Sequence, residues 1–592
     1  MMPTILNLIY SMFPFLRWLR HYPRRWLTQD MLSGFTLSFV ILPQSIAFAI
    51  IAGLPVEYGI YAAMIPPIIA GLYGTSSHLI TGPTNAAAIV VASILAPLLA
   101  LGYGIEIVLL LGLMVGCFQL MLGVFKMGFI MDFISRSVVL GFTAGAALSI
   151  GLKQIKYAMG TPIDDTGLFY QTLLNAAMNV PNINIFSLSI ALGTMLIIFS
   201  LDKIFKRIPA ALVALLAAIC VSFVFNLPQY GVTTVGQMQT DFPSFAMPHM
   251  NTALFRELAI PAVALALLGL ISATSISRSI AIQSHQVLNN DREVIGQGLS
   301  NISASLFQGM PVAGSFSLSN SAWKIGAKSS LTGVFMGIGM FLIIKVFAPA
   351  APFLPLAAIA GMLFMVIPKM IRLSDLKATV MATHGDAAVV VVTFVATLFL
   401  KLEFAVYVGV FLSIFLHLAK TSHPKIISVL PKEPGEHMIP DKEDIPCPQM
   451  AISKIEGSLF FGSAEYTKNY LLLYLDNHPN MKHLVLRFDA LEVLDASGLS
   501  TLEEIHEKLL SRGGHLALAG CNALHLEILS NAGFISRIGN DFVRRSTADA
   551  MKQLMETFNH AKCYECPYKH FHECRGFKKL GKAKMESIKN ET

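Results

Sequence analysis

Backbone breakers interrupt apolar sequence twice in this chain. They lie at Gly82-Pro83-Thr84-Asn85 and at Gly309-Met310-Pro311-Val312-Ala313-Gly314-Ser315. A helix needs about 20 apolar residues to cross a bilayer, and a break within it frees backbone groups that hydrocarbon cannot satisfy. Such breaks persist at membrane depth only where they face protein or a wet cavity. One break in each half of a hydrophobic chain is the sequence mark of a binding site at the bilayer midplane. A half-helix starting at each break aims its first N–H groups, and a partial positive charge, at that cavity. The guest expected there is an anion.

Composition agrees with a chain that lives mostly in lipid. Of 592 residues, 54% are hydrophobic and only 13% charged, against about 25% charged in soluble domains. A net charge of +7 is spread near the ends of apolar runs, so it reads as a topology signal and not as a nucleic-acid surface. Arg17, Arg20, Arg24 and Arg25 follow a short apolar stretch that lacks a small-residue cleavage site, so no cleavable leader is expected. Lys126, Lys203, Lys206, Arg207, Lys324, Lys328, Lys369, Arg372, Lys420 and Lys425 collect on one side of the expected spans. That asymmetry predicts both termini in the cytoplasm of a multi-pass protein of the cytoplasmic membrane, with Lys153 and Lys156 as exceptions.

Fourteen apolar runs are read between residues 30 and 419, with the two breaks in the third and tenth. The expected fold class is therefore an α-helical polytopic membrane protein with a seven-plus-seven inverted repeat and two half-helices. A cytoplasmic segment 1–29 precedes the transport domain at 30–420. Residues 421–450, rich in Pro and charge, read as a linker. From 451 to 557 the pattern becomes that of a small cytoplasmic α/β domain. Strands are expected at 483–488 and 515–519 and helices at 498–511 and 523–532. Residues 558–592 form a Cys/His cluster and a basic tail.

Particular motifs resemble a family. Leu42-Pro43-Gln44-Ser45-Ile46-Ala47-Phe48-Ala49, Ala52-Gly53-Leu54-Pro55, Tyr58-Gly59-Ile60-Tyr61, Gly74-Thr75-Ser76-Ser77-His78 and Thr81-Gly82-Pro83 are similar to the N-terminal signature of the sulfate permease (SulP) anion transporters. Glu293 to Gly298 with Asn301, Pro311 to Ser319 and Gly326-Ala327-Lys328 resemble the signature of its second repeat. Asp495-Ala496-Ser497-Gly498-Leu499 resembles the switch loop of a STAS domain, which follows the membrane part in that family. The resemblance implies core and gate domains, fourteen spans, a homodimer and elevator-like alternating access. No enzyme signature or phosphate-cradling loop with Lys stands out in the sequence, so no enzymatic activity is expected. The resemblance also implies an anion site on the first span, carried here by Gln44 and Phe48. These two are four residues apart and so share a helix face. Thr84 and Asn85 open the first half-helix, and Ser315, Phe316 and Ser317 open the second. Their hydroxyls and N–H groups would replace water around the anion, or would simply cap broken helices.

Two family charges are missing. Leu318 stands where many members carry Arg, and Ser272 stands near a position often held by Glu. Arg278, in the same span as Ser272, either restores the positive charge or snorkels to the headgroups. Ser497 matches a position phosphorylated in stand-alone STAS relatives, or is an N-cap; phosphorylation would imply a cytosolic partner. Cys563, Cys566 and Cys574 with His570 suit tetrahedral zinc, or are ordinary reduced thiols; no other cofactor is expected. The leading reading is a secondary transporter of inorganic anions, sulfate or bicarbonate in class. Alternatives are a dicarboxylate transporter of the same family, or an anion-sensing signalling protein acting through the STAS-like domain. A nucleobase permease would need carboxylates where Ser272 and Leu318 stand.

Overall fold

The first break becomes a two-residue strand, β1 (Thr81–Gly82), and the second becomes β2 (Ala313–Gly314). They pair antiparallel, Thr81 opposite Gly314 and Gly82 opposite Ala313, across more than 200 residues of sequence. The computed structural model describes residues 15–20, 22–129, 135–161, 169–204, 210–238, 242–249, 252–371, 373–400, 402–431, 438–440, 447–567, 571 and 574. Contacts divide the chain into two units, Met1–Ser413 and Ile414–Thr592.

Among the described residues, nine helices are long and apolar enough to cross a membrane, from Arg24–Ile51 to Phe404–Thr421. Asn85–Ala100, Ala210–Phe225 and His384–Phe399 are shorter apolar helices. The Phe316–Ile325 helix has only ten residues and stops at Gly326, whose φ of 100° ends it in the left-handed region.

The membrane helices pack in two sets. In one, Arg24–Ile51 lies against Leu331–Phe347 and both short helices that follow the β1–β2 pair, while Ile107–Val124 lies against Asn290–Leu306 and Thr252–Ser284. In the other, Arg136–Met159 packs on His384–Phe399 and Leu356–Met370, and Ile185–Ile204 packs on Leu356–Met370 and Ala210–Phe225. Lipid tails are as apolar as leucine, so close backbone approach holds such helices together more than hydrophobicity does. Gly116 and Gly298 show it: a Cβ on Gly116 would stand 2.6 Å from the Ile302 nitrogen, and one on Gly298 would stand 2.6 Å from that of Leu120.

In the second unit a mixed sheet runs in the order β4-β3-β5-β6-β8-β9, with β7 pairing β5. Its strands are β3 (Lys425–Pro431), β4 (Met438–Pro440), β5 (Met450–Leu459), β6 (His483–Arg487), β7 (Leu491–Leu494), β8 (Leu516–Ala519) and β9 (Val543–Arg544). β5, β6, β8 and β9 are parallel neighbours, so β6 and β8 read as continuous apolar runs buried on both faces. Helices Ala496–Ser511 and Ala523–Asn531 follow β7 and β8. The stretch read as a linker is structured in part: Lys425–Ser428 pair antiparallel with Ser453–Glu456, which makes β3 part of the sheet. Its prolines give the sequence the look of a connector, but between them Ile426 packs on one apolar cluster of the domain and Ile427 and Val429 on another.

Candidate functional site

The site is built where the β1–β2 pair hands over to two helices. Thr84 is the N-cap of Asn85–Ala100, and its side chain accepts from the Ala87 N–H at 3.3 Å. Ser315 is the N-cap of Phe316–Ile325 and accepts from Leu318 N–H at 3.5 Å. Pro83 supports the first start, because its fixed φ and missing N–H suit the residue before a cap. The two helices leave opposite ends of the short ladder, so both N-termini are directed back toward it. Each brings a partial positive charge and no formal charge.

The ladder is buttressed by buried amides. Asn301 Oδ1 accepts from Val312 N–H at 2.8 Å, and Asn301 Nδ2 donates to Val312 O at 3.0 Å and to Gln119 Oε1 at 2.9 Å. Gln297 Nε2 donates to the Thr81 hydroxyl at 2.8 Å. Ser319 Oγ accepts from Ile80 N–H at 2.9 Å, while the Ser315 N–H donates to Ile80 O at 2.9 Å. Asn301 satisfies both backbone groups of Val312, which hydrocarbon could not. The sequence motif Glu293 to Gly298 with Asn301 contains both Gln297 and Asn301 but gives neither a role, and Gln119 lies outside every motif. An isolated Gln in an apolar run, as at Gln119, was the available signal.

The Arg24–Ile51 helix crosses this junction. A Cβ on Gly82 would lie 3.2 Å from Ile41 Cδ1, and Ile41 is three residues before Gln44 on nearly the same face. Gln44 is half-buried, whereas Phe48 is buried in the main apolar cluster. Thr84, Asn85, Ser315 and Phe316 are half-buried, and Ser317 is exposed. Leu318 is buried in the apolar cluster. Ser272 is half-buried and donates to Leu268 O at 3.0 Å, within its own helix. Arg278 is exposed; its helix presents Ala273, Ile276 and Ile280 to Phe316 and Trp323, and Arg278 lies off that face. A separate cavity of about 390 Å³ between the Ile185–Ile204 and Ala210–Phe225 helices is walled mainly by apolar groups such as Phe186, Ile190 and Val221, so it offers an anion little.

In the second unit, Asp495 is the N-cap of Ala496–Ser511, not Ser497. Asp495 Oδ1 accepts from Gly498 N–H at 2.9 Å and Oδ2 from Phe461 N–H at 2.9 Å. Ser497 is half-buried, and its carbonyl accepts from Thr501 Oγ1 at 3.2 Å. His483, the first residue of β6, is buried against the rings of His515 and Phe558; burial and the neighbouring His515 lower its pKa to about 4. The His515 N–H donates to His483 Nδ1 at 3.3 Å, as a neutral imidazole requires.

The zinc expectation gains no support. Among the described residues, no group of three or more His, Cys, Asp or Glu is placed to hold a metal, and His570 lies outside them. Cys563 is instead buried in an apolar cluster with Cys447 and Phe571, and its Sγ accepts from Gln449 Nε2 at 3.2 Å. Cys574 packs on the same cluster, and Cys566 is half-buried. Burial pushes the Cys447 thiol up, as expected of a packed side chain.

Comparison with known proteins carries the argument further. Residues 27–393 match the model of the sulfate permease family, and residues 442–550 match the STAS domain. The chain is 29% identical over 516 residues to a putative sulfate transporter, YvdB, of Bacillus subtilis (strain 168), covering 86% of this chain and 94% of that one. It is 29% identical over 532 residues to the probable sulfate transporter Rv1739c of Mycobacterium tuberculosis, covering 88% of this chain and 94% of that one. The murine Solute Carrier 26 family member A9 anion transporter, in its inward-facing state, superposes with a TM-score of 0.86 at 20% identity, over 93% of this chain and 95% of that one. The transmembrane domain of the cyanobacterial bicarbonate transporter BicA superposes with a TM-score of 0.58 at 25% identity, over 66% of this chain and 98% of that one. With the helical membrane unit, the mixed sheet and the family match over more than half of its length in agreement, the chain belongs to the sulfate permease family of anion transporters and carries a C-terminal STAS domain.

Proposed function

We propose that this chain is a secondary transporter of inorganic oxyanions, sulfate or bicarbonate in class, held between the N-termini of the two short helices. The observation that carries the reading is the β1–β2 pair, which holds two neutral N-caps, Thr84 and Ser315, on one ladder. Helix N-termini attract anions without a full charge. With Leu318 in place of a family Arg, the well is shallow enough to release its guest, which turnover needs. Gln44 would add an amide donor and Phe48 the positive edge of its ring. Thr84, Asn85, Ser315, Phe316 and Ser317 would replace water around the oxyanion.

The two packing sets support an elevator-like cycle, in which the set carrying both short helices moves against the other as a body. A homodimer, with both termini in the cytoplasm, fits the same reading. The test is uptake of labelled sulfate, bicarbonate, chloride and small dicarboxylates into proteoliposomes, with and without pH and sodium gradients. Saturable uptake of sulfate or bicarbonate is expected. Selective uptake of dicarboxylates would move the substrate class, and the absence of flux for every anion would favour a sensor acting through the STAS domain.

A further inference from the structure

Among the described residues of the membrane unit, two carboxylates are buried, and neither has a role in the site above. Asp30 is fully buried, and Glu293 is 3% exposed. A buried carboxylate is costly unless its oxygens are satisfied by donors. Asp30 Oδ1 accepts from the backbone N–H groups of Lys328 at 2.6 Å and Ser329 at 3.1 Å, and from Thr332 Oγ1 at 3.1 Å. Its Oδ2 accepts from Ser329 Oγ at 2.6 Å and Tyr22 Oη at 2.7 Å. Glu293 Oε2 accepts from Thr75 N–H at 2.8 Å, Ser76 N–H at 3.0 Å and Thr75 Oγ1 at 3.1 Å.

The chain order of these contacts is the informative part. Asp30 belongs to the first half of the membrane unit and grips the turn that leaves the second short helix. Glu293 belongs to the second half and grips the turn that leads into β1 and the first short helix. The two gripped turns also touch each other: His78 Nε2 lies 3.1 Å from Ala327 O. Gln286 adds a second hold on the first turn, donating from Nε2 to Thr75 O at 2.8 Å and accepting from Ser77 N–H at 3.1 Å. From the first turn the chain runs through Ile80 to its bonds with Ser315 and Ser319. A continuous polar path therefore runs from Glu293 through residues 75–80 to the second short helix, and from that helix's exit to Asp30.

We propose that Asp30 and Glu293 are positioning residues whose carboxylates, each reaching across to the opposite half of the chain, fix the two short-helix N-termini against one another and so set the width of the gap between them. Neither touches the anion. Each acts through the turn it holds. The functional consequence rests on the transport reading above, but the brace itself is a property of the apo protein and is tested without any anion.

The experiment is hydrogen exchange by mass spectrometry on the purified full-length protein, comparing Asp30→Asn and Glu293→Gln with the parent. Each amide keeps the shape of its acid but turns one oxygen into a donor facing N–H donors. The brace predicts that either variant raises exchange by about tenfold or more in both windows, 75–88 and 315–325, because opening either end frees the shared path. Increases confined to 327–332 for Asp30→Asn and to 74–77 for Glu293→Gln would overturn it, since each carboxylate would then be a local turn clamp. If either variant fails to fold, Ser329→Ala and Thr75→Ala remove one donor each and are read in the same two windows. In proteoliposomes, sulfate KM per folded molecule should rise several-fold in both carboxylate variants. An unchanged KM with less folded protein would mean a role in stability alone, and would overturn the positioning role.

Discussion

Three helix starts in this protein look alike in sequence and differ in what they leave for a guest. In the membrane unit, Thr84 and Ser315 cap their helices with neutral hydroxyls at 3.3 and 3.5 Å, long contacts that satisfy one N–H each. In the STAS unit, Asp495 caps its helix with a carboxylate whose two oxygens take Gly498 and Phe461 N–H groups, both at 2.9 Å. The carboxylate neutralises the positive helix end and fills it. The hydroxyls leave the dipole uncompensated. An anion is welcome at the first kind of start and repelled at the second. The same local chemistry, a polar residue before a helix, thus leaves an open positive end at the proposed anion site in one unit and makes a closed structural joint in the other.

The largest test of that contrast is steric. Ser317→Phe fills the exposed second position of the second short helix and should reduce sulfate uptake by about a hundredfold or more, equivalent to about 2.7 kcal/mol, with folded protein retained by size-exclusion chromatography. Normal uptake would place the anion elsewhere. Next is the charge itself. Ser315→Asp should give the membrane helix the acidic cap found at Asp495, keep the helix and cost the anion about 2 to 3 kcal/mol of affinity through like-charge repulsion. Asp495→Asn, its mirror in the STAS unit, should leave sulfate KM unchanged.

The STAS unit should be the acid-sensitive partner in the comparison. His483 is kept neutral by burial, with its pKa near 4 when folded against about 6.5 in the unfolded chain. Its folded stability is complete above pH 6.5 and is lost as pH falls toward 4, because only the unfolded chain takes the proton. At pH 5 the loss is about 2 kcal/mol. Exchange of the β6 amides, corrected for intrinsic rate, should rise between pH 7 and 5 in the full-length protein, and His483→Phe should flatten that dependence. The smallest effect is expected at Arg278. It lies off the helix face that meets Phe316, so Arg278→Gln should change sulfate KM by less than about twofold, under about 0.4 kcal/mol. A larger change would bring a formal charge into a site described here as neutral. Leu318→Arg should not compensate, because it puts a charge into a buried apolar cluster.

How much of this was legible in the sequence depended on the range of the interaction. The two breaks, Thr84 and Ser315 were readable because Gly, Pro and a capping hydroxyl act on their own neighbours. β6 and β8 and the helices after β7 and β8 were readable because a buried strand shows as a short apolar run. The β1–β2 pairing was not readable, since two residues per strand leave no periodicity. Neither were the holds of Asp30 on residues 328–332, of Glu293 on 75–76 and of Asn301 on Val312, each of which joins distant segments. β3 was hidden by the prolines around it. Ser497 reads either as a phosphorylation site or as an N-cap, because Ser, like Asp, is a good cap; the fold gives the cap to Asp495, whose second oxygen also reaches Phe461.

The central claim is that the anion sits at two neutral helix starts held on one ladder. Equilibrium binding of labelled sulfate to the purified full-length protein, compared between the parent, Ser315→Asp and Thr84→Asp, tests it most directly. The account predicts saturable binding to the parent and a loss of about thirtyfold or more in affinity in each variant, about 2 kcal/mol, with both still folded. Parent-like sulfate affinity in either folded variant would contradict it.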